Sequence, residues 1–212
     1  MKQIRFIQLG DADALFIYNL ANQLNAIQDY FFFDIDPNQV QLDLKSDNGI
    51  YNEDQIDTYG ASIIRKNYPG EYPISICNVP LRNDLSFSFD NDSAVVSLHN
   101  WGVDLSNISK DKLLAFHLVD ILLSRRINIP AHNNVRGCPS DHCDHPNDRI
   151  VGFNQCEFCS ECHSIIRHGI ELGTISLKEA VSTFRILDWI AERKRVFVIM
   201  PCEMHIIIRI VW

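Results

Sequence analysis

The residues of this chain best suited to chemistry are its cysteines, and they are unevenly spread. Five of the seven fall between positions 138 and 162, while Cys77 and Cys202 stand alone. The cluster reads Arg136-Gly137-Cys138-Pro139-Ser140-Asp141-His142-Cys143, and later Cys156-Glu157-Phe158-Cys159-Ser160-Glu161-Cys162. That is C-x4-C, a spacer, and two overlapping C-x2-C pairs. Thiolates two to four residues apart can grip one tetrahedral ion from a single turn, and two such pairs close its shell against a reacting water. The spacing therefore predicts a structural Zn2+ site. It does not choose between Cys156 and Cys162 as partner of Cys159, and His142 or His145 could each replace a thiolate.

The segment between the pairs, with Pro139, Asp141, Asn147 and Gly152, is poor in apolar residues and reads as loop held by metal rather than by packing. Zinc bound by thiolates contributes on the order of 10 kcal/mol in small peptides, comparable with the net stability of a domain. Clustered cysteines without export signals also suit a reducing compartment, so a cytoplasmic protein is expected. Residues 1–20 carry Asp11 and Asp13 and lack a small-residue cleavage site, unlike a signal peptide. The apolar run Leu113 to Leu123 is broken by His117 and Asp120 and is too short to cross a bilayer. A net charge of −8 with no basic, aromatic-interleaved stretch argues against a nucleic-acid partner.

The elements that must position these groups follow from apolar periodicity over the 212 residues. Helices are predicted over residues 11–28, capped by Asp11 or Asp13, over 52–68, and over 109–126. The last is apolar on most sides and so belongs in the middle of the fold. Two further helices are expected at 161–171 and 176–194, the second opening on Ser176 with Glu179 three residues on. Strands are expected at 30–33, 73–80, 93–98, 195–200 and 205–212. On the central helix, His117, Asp120 and Ser124 lie on one side. That stripe, continuous with Lys110, reads as the solvated face; a rebuilt metal site of His117, Asp120 and His132 is the alternative.

Three stretches resemble the archaemetzincins, a family of zincin-fold metalloproteins. Their pattern is H-E-x-x-H-x-x-G-x-x-H-C, four residues, C-M, a spacer, and C-x-x-C. Cys138-x4-Cys143 is similar to the first cysteine pair, and Phe158-Cys159-Ser160-Glu161-Cys162 followed by Ile165-Ile166 to the second. Residues 72–85 and 93–97 are similar to the two strands before the family's catalytic helix, and Leu113 to Leu123 takes that helix's place. The resemblance covers roughly residues 40 to 170. It implies a zincin-like α+β fold, with a mixed sheet packed with helices, a central buried helix and a four-cysteine zinc knuckle of Cys138, Cys143, Cys159 and Cys162.

The departures bear on activity. Aligned on His117, Leu118 occupies the place of the general-base glutamate and Ile121 that of the second histidine. The family's third histidine directly precedes its first cysteine, where this chain has Gly137; His132 lies six residues before Cys138. No catalytic residue is therefore carried over. The resulting expectation is a degenerate, zinc-stabilised domain at residues 1–197 that binds a peptide or protein partner or acts as a sensor. The alternatives are a metallopeptidase with rearranged ligands and the regulatory front of a nucleotide-processing effector. The last rests on Arg195 to Pro201, which resembles the first strand of deoxyribosyltransferase or TIR-like domains. Residues 198–212 are then closing strands or the remnant of a further domain, an added strand of the main sheet being favoured.

Overall fold

A computed structural model describes residues 1–44, 46–82, 87–99, 109–141, 146–192, 196–202 and 205–211. The fold is α+β, centred on a five-stranded mixed sheet. The sheet begins with β1 (Lys2–Gln8), a strand that the sequence pattern does not announce because Lys2, Arg5 and Gln8 interrupt its apolar run. Helix α1 (Ala14–Ile27) follows, its first turn closed by the Asp13 carboxylate accepting from the Phe16 backbone N–H. Strand β2 (Phe31–Ile35) then pairs parallel to β1. Helix α2 (Glu53–Asn67), capped by Asn52, crosses to β3 (Tyr72–Cys77), which lies parallel to β1 on its other side. Strands β4 (Phe87–Phe89) and β5 (Ala94–Ser97) complete the sheet in the order β2-β1-β3-β5-β4. β4 alone is antiparallel and forms one edge.

Because β3 is the middle strand with layers on both faces, all six of its residues are buried. Phe6, Phe33, Ile74, Ile76 and Val96 face the layer that contains α1 and α3 (Lys110–Ser124). Ile7, Leu9, Cys77 and Val95 meet Ile56 and Ile64 of α2 on the other face. Gly60 of α2 is required by that contact, since a Cβ there would lie 1.8 Å from Ser75 Oγ and 3.1 Å from Ser75 Cβ. Every residue from Leu113 to Leu123 is buried, so α3 is the central helix the sequence predicts. The expectation of a solvated stripe on it is wrong: His117 and Asp120 are only 4% and 8% exposed. Polar partners and an aromatic neighbour, described below, let these residues sit inside.

Residues 146–155, expected to be loop, instead form α4 (Pro146–Gln155). A close approach explains the glycine within it, for a Cβ on Gly152 would stand 3.2 Å from the Phe116 ring of α3. Helices α5 (Ser160–Glu171) and α6 (Leu177–Ile190) follow, separated by Gly173 at φ +72°. Ser176 accepts from the Glu179 N–H, as the start signature predicts. Glu179 and Arg125, at the C-cap of α3, form a buried pair 3.6 Å apart that ties α6 to α3. Tyr30 donates to the same carboxylate at 3.1 Å, and the Arg125 guanidinium lies over the Tyr72 ring at 4.4 Å.

The chain then enters β6 (Val196–Cys202) and β7 (His205–Val211), which pair antiparallel as a separate two-stranded ribbon. The expectation that β6 adds to the main sheet is thus not met among the described residues. No helix among the described residues is long and apolar enough to cross a membrane.

Candidate metal centre

The return of the chain after α3 builds the site. His132 pairs with Asp141 in an isolated parallel bridge, its N–H donating to the Ser140 carbonyl at 3.0 Å. Within that loop Asp141 Oδ2 accepts from the N–H groups of Arg136 at 2.6 Å and Cys138 at 2.9 Å, while Gly137 takes φ +83°. These bonds fold residues 132–141 back on themselves and bring the Cys138 sulfur close to the His132 ring. Cys159 and Cys162 arrive from the other side. Cys159 is the N-cap residue of α5 and Cys162 lies in its first turn, so one helical step puts both sulfurs on one face.

His132, Cys138, Cys159 and Cys162 consequently offer four ligand atoms within 4.8 Å of one another. Cys138 Sγ and Cys162 Sγ are 3.6 Å apart, and His132 Nε2 lies 3.1 Å from Cys162 Sγ and 3.2 Å from Cys159 Sγ. An ion with zinc–sulfur bonds of about 2.3 Å needs sulfurs about 3.8 Å apart at tetrahedral angles. The spacing and chemistry of this donor set therefore suit a tetrahedral metal ion. Three of the four residues are buried and Cys159 is half-buried. The Cys138 thiol is pulled below its usual range, chiefly by hydrogen bonding from Cys162 and against the effect of burial. Cys162 is pushed upward by the Cys138 sulfur. Such a group resists holding several bare thiolates together, and a divalent cation removes that repulsion.

The structure thus brings together three of the four expected thiols. Cys143, the fourth, lies outside the described residues, as do His142 and His145. Cys156, which spacing allows as a ligand, is not part of the cluster. It follows α4 at φ +45°, with its thiol 2.6 Å from the Phe153 carbonyl. His132 enters in a role the sequence reading does not give it. It lies six residues before Cys138, outside any short chelate spacing, and the bridge to Asp141 is what carries it in.

The alternative grouping of His117, Asp120 and His132 does not form. His132 faces the sulfurs, while the His117 ring packs 4.8 Å from the Phe87 ring of β4. Asp120 Oδ1 accepts from Ser124 at 2.8 Å and Ser140 at 3.0 Å. Burial raises the Asp120 carboxyl to about 6, the two serines opposing that rise. Among the described residues the His132–Cys138–Cys159–Cys162 group is the one that could hold a metal ion.

What this chain shares with zinc-dependent peptidases is its fold. Among solved structures it is similar to a zinc-dependent peptidase from Methanocorpusculum labreanum (strain Z), with a TM-score of 0.53 and 11% sequence identity. The match covers 77% of this chain and 99% of that one. No protein-family model matches the chain, and no curated protein does.

Proposed function

We propose that the chain is a catalytically degenerate, archaemetzincin-like domain that carries one structural zinc ion and binds a peptide or protein partner without cutting it. The observation that supports this most is the state of α3. A hydrolytic zincin helix presents two histidines one turn apart and a glutamate that takes a proton from metal-bound water. Here the helix offers His117 alone, buried against Phe87, with Leu118 and Ile121 in the positions of the other two groups. His132, the nearest histidine after the helix, turns to the thiols. A rearranged peptidase centre would need that same imidazole.

Zinc would be held by His132, Cys138, Cys159 and Cys162, and when bound it supplies a cross-link, not a Lewis acid with an open position. The chain's own residues then do the positioning. Asp141 fixes the Cys138 turn, and Ser140 joins that turn to Asp120 on α3. The partner's place is the free edge of β4, whose outward backbone groups have no strand beside them among the described residues. An extended peptide can add to such an edge through main-chain hydrogen bonds.

Incubation of the zinc-loaded protein with a mixed peptide library, analysed for both retained and cleaved species, tests the reading. Retention of extended peptides without cleavage products is the expected result. Chelator-sensitive cleavage that is lost in His117→Ala would overturn it.

A further inference from the structure

The zinc ligands are not equally sheltered. Cys138 and Cys162 are buried, whereas Cys159 is partly open to solvent. It sits at the N-terminus of the 12-residue helix α5, where unpaired N–H groups give a positive end. The Arg136 guanidinium, 3.1 Å from Glu161, also lies close enough to Cys159 for its charge to act on that sulfur. A partly exposed cysteine with a second thiol close by is the arrangement in which attack by an oxidant resolves into a disulfide. Cys162 supplies that second thiol, within 4.8 Å and one helical turn along.

The geometry points to Cys159 as a peroxide-reactive site, oxidised to a disulfide with Cys162 and thereby releasing the metal from the centre. This rests on the zinc assignment above and gives its sensing role a chemical input. In the first step the Cys159 sulfur attacks one oxygen of hydrogen peroxide; the O–O bond breaks, a sulfenic acid forms and hydroxide leaves. In the second the Cys162 sulfur attacks the Cys159 sulfur; the S–S bond forms, the S–O bond breaks and a second hydroxide leaves. Both hydroxides take protons from solvent. Two thiolates have then given two electrons to one peroxide, which ends as two waters. Among the described residues His132 and Cys138 would remain as donors, too few for a closed zinc shell.

The test treats the purified, zinc-containing chain with hydrogen peroxide, reads zinc release with a chromogenic chelator and maps disulfides by mass spectrometry. Expected are one zinc released per chain, a disulfide joining Cys159 to Cys162, and recovery of zinc binding after reduction with a dithiol. Arg136→Gln, which removes no ligand, should leave the zinc content unchanged and slow release about twofold to fivefold, the effect of an exposed charge contact. Zinc held through excess peroxide, or released while Cys159 stays reduced, would overturn the inference and leave the zinc assignment standing. A chain with no zinc before oxidant would overturn both.

Discussion

Asp141 shows how much of the candidate metal centre depends on residues outside its donor set. Its carboxylate accepts two backbone N–H groups, of Arg136 and Cys138, across the turn where Gly137 has positive φ. Without them the Cys138 sulfur has no fixed approach to the cluster. Asp141→Ala should therefore lower zinc affinity by about 10- to 100-fold, the range for outer residues that orient metal ligands, while Asp141→Asn keeps an acceptor and loses less. Competition with a chelator of known affinity measures both. The thiols of the site were legible because C-x-x-C spacing is a local property of the chain. His132 was not, because only a turn closed by Asp141 and Ser140 makes it a neighbour of Cys138. His117 and Asp120 misled in the opposite sense. Polar residues on a helix suggest water, yet Ser124 and Ser140 provide Asp120 with internal donors, and Phe87 packs against His117.

At the scale of elements, α2 and the sheet make two predictions. Gly60→Ala forces a methyl group against Ser75 and should destabilise the fold by about 1–3 kcal/mol, as overpacking does. Ser75→Ala in the same chain removes the nearest clash and should restore part of that loss in urea unfolding. Asp57 on the same helix is buried beside Ser93, whose hydroxyl donates to it at 2.8 Å. Burial raises its carboxyl to about 6, with Ser93 and Arg65 opposing and Asp90 and Asp54 reinforcing the rise. The folded state therefore favours protonated Asp57 more than the unfolded chain does. Its contribution is fully present below about pH 4 and is lost as pH rises through about 6. Relative to the parent, Asp57→Asn should gain stability on the order of 2 kcal/mol between pH 4 and pH 7. A constant difference across that range in paired urea titrations would contradict the assignment.

Most of these elements were readable from periodicity and caps. Asp13, Asn52 and Ser176 all cap the helices they precede. The failures have physical causes. Strand β1 hides because Arg5 is buried with its charge met by Asp34 at 2.6 Å and Glu71 at 2.7 Å. Helix α4 hides because Asn147 and Gly152 look like loop residues, although Gly152 makes room for Phe116. Strand β4 has three residues, too few for alternation to register.

For the whole molecule, the mixed sheet and the buried central helix resemble the fold of a zinc-dependent peptidase, and that helix carries His117 as its one histidine. The account then makes metal a matter of architecture. Zinc would join the 132–141 turn to the start of α5, two segments on opposite sides of α4 in the sequence, and Ser140 would couple that cross-link to α3. The measurement that bears most directly on this is zinc X-ray absorption on the purified chain, with metal content determined on the same sample. The account predicts one zinc per chain, surrounded by three sulfurs and one nitrogen, and no change in either value in His117→Ala. Two metals falling to one in that variant, or a single zinc ligated mainly by nitrogen and oxygen, would contradict it and return the chain to the working peptidases.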